Sequence, residues 1–307
     1  MEGRTIPVLA GCTASGKSAA AMSLADGWDF EIVNADSRQI YRGMDIGTAK
    51  PATGETGRVR HHLYDIADPD ETFSAGRYCR LARDTAKRIF ESGSSPLLVG
   101  GSGLYIMAFT GSLDELPGRD DRMRAVLSEI EGESPGALHG FLSVLDGETA
   151  SATAPTDVVR LVRALEIILR SGSRASDLRA GGAGHGNGFR IVVVETEGGE
   201  LRRRIGKRTA EMFDRGLVEE VKGLASRGYG RDSVLGSTIG YREVLDYLDG
   251  RVTLERAREA VEVNTWRLAR RQRNMFRRLR GAVPWNGPDT GELGEMLFGN
   301  GFRRGGD

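Results

Sequence analysis

Residues 11–18 have the types and spacing of a phosphate-binding loop. They match the pattern G-x-x-x-x-G-K-[ST] at every fixed position. Glycine lets such a loop turn its N–H groups inward around an anion, and a following helix adds the positive end of its dipole. Lys17 would supply a point charge, and the Ser18 hydroxyl can join the coordination shell of a magnesium ion. We therefore expect a diphosphate or polyphosphate to bind at Gly11, Cys12, Thr13, Ala14, Ser15, Gly16, Lys17 and Ser18.

Two further polar segments follow apolar runs. Asp36 comes shortly after the run at 30–34, and Ser102 follows the run at 96–99 and a pair of glycines. The carboxyl ends of parallel strands meet at one edge of a sheet, so we expect both side chains to face the crevice of the phosphate loop. Propensity alone leaves alternatives open, because Asp36 could be a helix N-cap or a turn residue and the glycines a plain tight turn.

Alternating apolar runs and helical patterns predict an α/β fold with a parallel sheet. Strands are predicted at 6–10, 30–34, 96–99 and 189–194, and helices at 19–24, 74–92 and through 200–226. Only helices are predicted after about residue 113, at 120–131 and 158–169, which indicates a helical insertion. We expect a core of residues 1–112 and 189–287, an insertion at 113–180, a glycine-rich linker at 181–188 and a flexible tail at 288–307.

Basic residues cluster in two places although the chain has 43 basic and 43 acidic residues. One cluster, which includes Arg204 and Arg208, opens the helical region after residue 200. The other lies on a long helix that begins near Leu254, where no acidic residue occurs between Val263 and Pro288. Such a stripe is typical of a surface that contacts a phosphate backbone, with a merely solvated helix as the alternative.

Composition excludes several classes of protein. Cys12 and Cys79 are the only cysteines, too few for a disulfide framework or a multi-cysteine zinc site. His61 and His62 are adjacent and would point to opposite faces of a strand, so a metal site there is not expected. The sequence contains no apolar run long enough to span a bilayer. We expect a cytoplasmic protein with no membrane partner.

The phosphate loop and the basic helix together leave three functions open. A transferase could use a diphosphate as its leaving group, a small-molecule or nucleotide kinase could bind a nucleotide, and a non-catalytic RNA-binding ATPase could use the loop as a switch. The third needs a nucleotide-dependent switch segment that the sequence does not identify.

Beyond these patterns, a series of motifs resembles the family of bacterial tRNA dimethylallyltransferases, in family order from the first strand to about Trp285. The motifs lie at 11–18, 34–41, 44–51, 61–63, 98–105, 163–166, 216–221, 239–242 and 269–272. The chain departs from the family at Cys12, where the family usually has proline, and at Asn274–Met275, which replaces a Thr-Trp pair. A helix N-terminus could lower the pKa of the Cys12 thiol and make it reactive.

The resemblance implies a phosphate-loop NTPase-like α/β core with a helical insertion and a basic C-terminal helix. It implies transfer of a dimethylallyl group from dimethylallyl diphosphate to N6 of the adenosine 3′ of the anticodon. It also implies that the substrates are tRNAs reading codons that begin with U, bound through the anticodon stem-loop, that the protein is a monomer, and that Mg²⁺ assists with Ser18 as its ligand. It assigns catalysis to Asp36, as the base, with Ser102 and Arg204, and adds Arg208 to the diphosphate site.

The same resemblance assigns contacts with tRNA to a wider set of residues, which include parts of the first core segment, the insertion and the basic helix. These are Asp36, Ser37, Arg38, Gln39, Ser102, Arg124, Val159, Arg160, Leu161, Val162, Arg163, Gly240, Tyr241, Arg242, Arg270 and Arg277.

Overall fold

A sheet of parallel strands carries the phosphate loop. The structure is a computed structural model and describes residues 4–51, 57–111, 117–180, 188–299 and 301–303, without the side chains of 179 and 180. In these ranges the strands are β1 (Ile6–Gly11), β2 (Phe30–Asn34), β3 (His61–His62), β4 (Ser95–Gly100), β5 (Phe189–Val194) and β6 (Ala282–Trp285). Their order across the sheet is β3-β2-β4-β1-β5-β6, and every pairing is parallel. The expected α/β class is therefore confirmed.

Because helices cover both faces of the sheet, β1 and β4 are buried along their whole length, and β2 and β5 are mostly buried. Val8 of β1 pairs with Leu98 of β4 on one side and with Ile191 of β5 on the other. Such continuous apolar runs are typical of parallel strands, which explains why sequence patterns located these four strands. The two edge strands were not predicted from the sequence, because β3 has only two residues and β6 contains Pro284.

Helices of the core unit pack on the two faces of the sheet. They are α1 (Lys17–Ser23), α2 (Ala75–Glu91), α3 (Gly103–Phe109), α9 (Gly198–Asp214), α10 (Leu217–Ser226), α11 (Tyr241–Leu248), α12 (Leu254–Phe276) and α13 (Thr290–Phe298). One face packs Leu9 and Leu97 with Leu24 and Leu297, from the ends of α1 and α13. The other face packs Val8 and Leu98 in a cluster with side chains of α2, α3 and α9 to α12.

Two regions differ from the sequence-based expectation. The helical region at 200–226 is broken between α9 and α10, where Gly216 adopts φ 94° and ends the first helix. The tail expected to be flexible at 288–307 instead contains α13. Asp289 caps this helix by accepting the N–H groups of Gly291 and Glu292, and Leu297 is buried against the sheet. Although α13 is short, its apolar side is enough to hold this part of the chain against the sheet.

The chain divides into two compact units. The core unit comprises residues 1–109 and 187–307, and the helical unit comprises Thr110–Gly186. The expected insertion at 113–180 falls inside the helical unit, and most of the expected linker at 181–188 lies outside the described residues. The helices of the helical unit are α4 (Asp121–Glu133), α5 (Ala137–Leu145), α6 (Gly147–Ser151), α7 (Val158–Ser171) and α8 (Ala175–Ala180).

The helical unit has its own hydrophobic core. Leu127 of α4, Leu138 and Leu142 of α5 and Leu161 and Leu165 of α7 meet in it. Among the helices in the described ranges of both units, none combines the length and apolar content that a bilayer crossing requires.

Candidate active site

The phosphate loop joins β1 to α1. It is held in place by two side chains, Thr196 in the segment after β5 and Arg204 in α9. Ala14 and Gly16 have left-handed φ angles of 61° and 92°, the kind of backbone that turns N–H groups into an anion-binding concavity. Thr196 Oγ1 and Arg204 Nη1 each donate to the Ser15 carbonyl oxygen at 3.1 Å. The loop is therefore fixed in shape by its surroundings, with Ser18 exposed in the first turn of α1.

Two cations and one carboxylate come together at this edge of the sheet. Burial lowers the pKa of Lys17, an effect opposed by the Asp36 carboxylate and reinforced by Arg208. Burial also lowers the pKa of Arg208, and Asp36 again opposes it. Arg208 Nη2 donates to the Thr48 carbonyl at 3.3 Å. Lys17, Arg208 and Asp36 thus form a charged group beside the phosphate loop, suited to an anionic ligand and a proton transfer.

Asp36 occupies the turn that leaves β2. Its N–H donates to Asn34 Oδ1 at 2.9 Å, and its own Oδ1 accepts the N–H of Arg38 at 2.9 Å. This is the geometry of an Asx turn, so Asp36 is a turn residue, and its role as a catalytic base stays a prediction. The turn fixes one carboxylate oxygen in place while the residue stays only partly buried.

Ser102 joins the turn after β4 to the turn after β2. Its Oγ accepts the Ser37 N–H at 2.8 Å and donates to Ser37 Oγ at 2.9 Å, and its N–H donates to the Ala35 carbonyl at 3.1 Å. A Cβ on Gly100 would lie 2.1 Å from that same carbonyl oxygen. Glycine is therefore required at Gly100 by the close approach of two backbones.

A loop of residues 44–50 borders the site and is organised by Glu220 of α10. The Glu220 carboxylate accepts the N–H groups of Asp45, Ile46 and Gly47, at 3.1, 2.7 and 3.1 Å. It also accepts the hydroxyl of Tyr241 at 2.5 Å. Glu220 lies in the motif at 216–221, but no role for it can be predicted from the sequence, because only the folded chain shows what its carboxylate binds.

Gln39 and Tyr241, both expected to contact tRNA, contribute to holding this loop. Gln39 Nε2 donates to the carbonyls of Thr48 and Ala49 at 3.0 Å each. The Tyr241 side chain is completely buried, and burial is the main cause that raises the pKa of its hydroxyl. A side chain without exposed surface cannot contact tRNA, so the expectation for Tyr241 is wrong in this structure.

The segment 159–163 of α7 includes residues that cannot all face a ligand. Leu161 is fully buried and Val162 is 6% exposed, both in the core of the helical unit. The expected tRNA contacts by these two side chains are therefore wrong, because consecutive helical residues point in all directions and some must face the core. Val159 is 77% exposed, and Arg160 is exposed and pairs with Asp157 at 3.4 Å.

Arg124 and Arg163, also expected to bind tRNA, converge on Glu166. Arg124 donates from Nε and Nη2 to the two carboxylate oxygens at 2.8 and 2.7 Å, and Arg163 Nη1 donates at 2.5 Å. Burial would raise the pKa of Glu166, but hydrogen bonds from Arg124, the Asp120 N–H and Arg163 outweigh it and lower the pKa to about 2. Both guanidinium groups are committed to this buried carboxylate.

Of the remaining expected residues, the arginines lie at exposed or half-exposed positions of the core unit, whereas Gly240 is buried. Arg270 and Arg277, seven residues apart near the end of α12, are exposed. Arg242 is half-exposed and pairs with Glu243 at 2.6 Å, and the same glutamate accepts the N–H of Gly240 at 2.7 Å. Arg38 Nη2 donates to the Ser237 carbonyl at 3.4 Å.

Cys12 of the phosphate loop is buried, and its thiol is not activated. It is 3% exposed, and burial is the main cause that raises its pKa, although Lys17 and Arg273 oppose that rise. A thiol with a raised pKa stays protonated at neutral pH, so the possible effect of the helix N-terminus does not prevail.

A magnesium ion would find few protein ligands here. Within the described parts of the chain, no group of three or more His, Cys, Asp or Glu residues could hold a metal ion. Mg²⁺ commonly keeps its waters and takes only one or two protein oxygens plus substrate phosphates. The exposed hydroxyl of Ser18 beside the phosphate loop fits that donor set.

The chain and its fold are similar to those of known proteins. A family model described as IPP transferase matches residues 39–279. The tRNA dimethylallyltransferase of Geobacter sulfurreducens is 44% identical over 91% of this chain and 90% of its own, and that of Thermotoga petrophila is 40% identical over 95% and 96%. The crystal structure of the tRNA isopentenylpyrophosphate transferase of Bacillus halodurans is 35% identical, with a TM-score of 0.70 over 96% of this chain and 97% of that one.

A crystal structure of a eukaryotic dimethylallyltransferase acting on tRNA shares the fold, with a TM-score of 0.78 at 22% identity over 96% of this chain and 76% of that one. None of these similarities favours the kinase alternative. The phosphate loop, the parallel sheet and matches over most of the chain lead to one conclusion: the chain belongs to the IPP transferase family.

Proposed function

We propose that the chain is a tRNA dimethylallyltransferase. It transfers a dimethylallyl group from dimethylallyl diphosphate to N6 of the adenosine 3′ of the anticodon, in tRNAs that read codons beginning with U. The observation that carries the proposal is the group formed by Lys17, Arg208 and Asp36 at the phosphate loop. It offers cations for a diphosphate and a carboxylate for a proton in one crevice, and the relatives' names agree with this use.

The acceptor nitrogen needs a base. The lone pair of an adenine amine is delocalised into the ring, so N6 becomes an adequate nucleophile only if its proton is removed as the new bond forms. As the N6–C bond forms, the allylic C–O bond breaks, the diphosphate departs with the electron pair, and Asp36 accepts the N6 proton. Asp36 Oδ1 is held by the Arg38 N–H, which orients the carboxylate for this role.

The leaving group builds negative charge on its oxygens. Loop N–H groups, Lys17 and Arg208 would stabilise that charge, and Arg204 lies against the loop at Ser15. Ser18 would hold the magnesium ion, which when bound adds further positive charge against the diphosphate.

The adenosine must leave the anticodon loop to reach the crevice, and unpaired loop bases are the least costly to extrude. Ser37 and Ser102, hydrogen-bonded to each other beside Asp36, would line its position. Arg270 and Arg277 on α12 would contact the tRNA backbone. We place this activity in the cytoplasm and in a single copy of the chain.

The proposal is tested by incubating the protein with bulk tRNA, Mg²⁺ and dimethylallyl diphosphate, without ATP. Mass spectrometry of the digested tRNA should detect N6-dimethylallyl adenosine, and Lys17→Ala should abolish most of it. If no prenylated nucleoside forms while the protein turns over ATP with a small acceptor, the proposed function is wrong and a kinase is indicated.

A further inference from the structure

Gln272 of α12 bridges two loops of the candidate site. Its Oε1 accepts the N–H of Thr13 in the phosphate loop at 2.8 Å, and its Nε2 donates to the carbonyl of Gly101 at 2.8 Å. Thr13 belongs to the expected diphosphate site, and Gly101 directly precedes Ser102. One side-chain amide therefore connects the two parts of the crevice that would hold donor and acceptor.

The two hydrogen bonds fix the orientation of the Gln272 amide. A reversed amide would put its oxygen against the Gly101 carbonyl and its NH₂ against the Thr13 N–H, so both contacts would be lost. The fit is also close, because a Cβ on Gly101 would lie 2.9 Å from Gln272 Nε2. Glycine at this position leaves room for the bridge.

The helix that carries Gln272 is anchored to the site at a second point. Met275, three residues further along α12, packs on Gly103, where a Cβ would lie 1.7 Å from Met275 Cε. The neighbouring Arg270 and Arg271 are exposed. One side of α12 therefore holds the loops of the site, and another side presents the basic residues.

We propose that Gln272 is a positioning residue that sets the distance between the diphosphate and adenosine subsites. The proposal rests on the proposed function for its description of the two ligands. Transfer between two bound groups requires their reacting atoms to lie about 3–3.5 Å apart, and a misplacement of about 1 Å can cost roughly 100-fold in rate. A rigid bridge between Thr13 and Gly101 keeps the two subsites at a fixed separation.

The competing interpretation is that Gln272 contacts tRNA, as its position among the arginines of 270–273 would allow. The two interpretations differ in what they predict when tRNA is absent. A residue that shapes the phosphate loop affects binding of a diphosphate to the free protein, whereas a residue that only contacts tRNA does not.

The test uses Gln272→Met, which keeps the length and the helix propensity of the side chain but removes both hydrogen bonds. Gln272→Asn keeps the amide but is one methylene too short to reach both loops. Glu259→Gln is the control, because Glu259 is exposed on the same helix, about three turns before Arg270. Inorganic pyrophosphate binding is measured by calorimetry without tRNA, and kcat and KM for tRNA by prenyl transfer.

Both Gln272 variants should bind pyrophosphate about 10-fold more weakly, the size expected from one lost hydrogen bond with an unpaired loop donor. Their kcat should fall about 10- to 100-fold while KM for tRNA stays unchanged, and the control should match the wild type. Thermal unfolding of each variant shows that the fold is intact; Gln272→Asn serves if Gln272→Met does not fold.

Unchanged pyrophosphate affinity with a raised KM for tRNA would overturn the proposal and make Gln272 a tRNA contact. Wild-type behaviour of Gln272→Asn would also overturn it, since the bridge would then be unnecessary. Absence of prenyl transfer by the wild type would overturn the proposed function alone, because the pyrophosphate measurement still decides the role of Gln272.

Discussion

Asp36 is the residue on which the proposed chemistry depends most. Its carboxylate acts on the pKa values of both Lys17 and Arg208, and its Oδ1 is held by the Arg38 N–H at 2.9 Å. A carboxylate that lies near two cationic side chains and is held by its own turn is oriented to accept a proton. The hydrogen bond from the Arg38 N–H holds the carboxylate in place.

Replacement of Asp36 by Asn should lower kcat by roughly 10²- to 10⁴-fold, the usual contribution of a general base. Affinity for tRNA should change little, because the amide has the same size and can still accept the Arg38 N–H. Single-turnover prenyl transfer and tRNA binding measure the two effects separately. Asp70→Asn, at an exposed aspartate, is the control. Near-native turnover of Asp36→Asn would remove Asp36 from the role of base.

Arg203 and Arg204 offer a matched pair for testing the leaving-group contacts. Both pair with Glu200, at 2.8 and 2.6 Å, but only Arg204 also reaches the Ser15 carbonyl of the phosphate loop. We expect Arg204→Ala to weaken pyrophosphate binding and slow transfer by about 10-fold or more, and Lys17→Ala to do so by roughly 10²- to 10³-fold. Arg203→Ala should behave like the wild type.

Competition assays with the same variants complete this test. Pyrophosphate should compete with dimethylallyl diphosphate for the wild-type site. If Arg203→Ala and Arg204→Ala have equal effects, the contact between Arg204 and the phosphate loop does not contribute to diphosphate binding. If ATP competes far better than pyrophosphate, the kinase alternative regains support.

At the scale of elements, the end of α12 combines a buried side with an exposed basic one. Ala269 and Phe276 are buried, whereas Arg270 and Arg277, one heptad apart, are exposed on a shared face. Unpaired like charges on one face repel each other, and a phosphate backbone laid along them would relieve that repulsion.

Binding of tRNA should therefore weaken linearly with the logarithm of salt concentration, with a slope of about 0.7 to 0.9 for each phosphate contact. Arg270→Ala and Arg277→Ala should each reduce the slope and raise KM for tRNA, with donor affinity unchanged. Arg256→Ala is the control, since Arg256 lies near the start of α12 and pairs with Glu259 at 2.8 Å. An unchanged slope in both test variants would mean that this face is merely solvated.

The helical unit contains a buried charge cluster that makes its stability sensitive to acid. The pKa of Glu166 is about 2 in the folded protein, against roughly 4.3 for an unperturbed glutamate. Because the folded pKa is the lower one, the stabilisation is complete above about pH 4.5 and is lost as the pH falls towards 2. It amounts to about 3 kcal/mol at neutral pH, as an order of magnitude.

Replacement of Glu166 by Gln should destabilise the helical unit at pH 7, because Arg124 and Arg163 lose their shared carboxylate. The variant should also lose less stability than the wild type between pH 5 and pH 3, although Asp146, whose pKa is also about 2, still contributes. Urea unfolding at several pH values measures both effects. Glu129→Gln, at an exposed position of α4, should match the wild type. Parallel pH profiles for all three proteins would contradict the assignment.

For the molecule as a whole, α13 closes one face of the sheet. Leu293, Leu297 and Phe298 pack with Leu9 and Trp28, and a Cβ on Gly294 would lie 2.2 Å from the Trp28 ring. The helix α13 therefore belongs to the core of the fold.

Leu297→Ala should lower the free energy of unfolding by about 2–5 kcal/mol, the usual cost of a cavity left by a buried leucine. Glu292→Ala, on the exposed side of α13, should cost little. Chemical unfolding followed by tryptophan fluorescence measures the difference, since Trp28 lies beside the cavity. Equal stability of the two variants would restore the view that residues 288–307 are a flexible tail.

The sequence by itself determined the features that are local in the chain. Residues 11–18 form the expected loop, β2 and β5 have the expected bounds, and the order of motifs indicated the family that the comparisons confirm. These features follow from a few adjacent residues, because loop conformations and buried strands depend on short-range geometry and on runs of apolar side chains.

Only the tertiary structure decided which motif residues reach the site and which support it. Gln272 meets Thr13 across 259 residues, Glu220 meets the loop at 45–47, and Tyr241 turns inward to Glu220 instead of outward to a ligand. Within a motif, the residue type alone does not distinguish a residue that binds a substrate from one that supports the substrate-binding loop. The difference lies in how helices such as α10 and α12 pack onto the sheet, and that packing is set by the whole core.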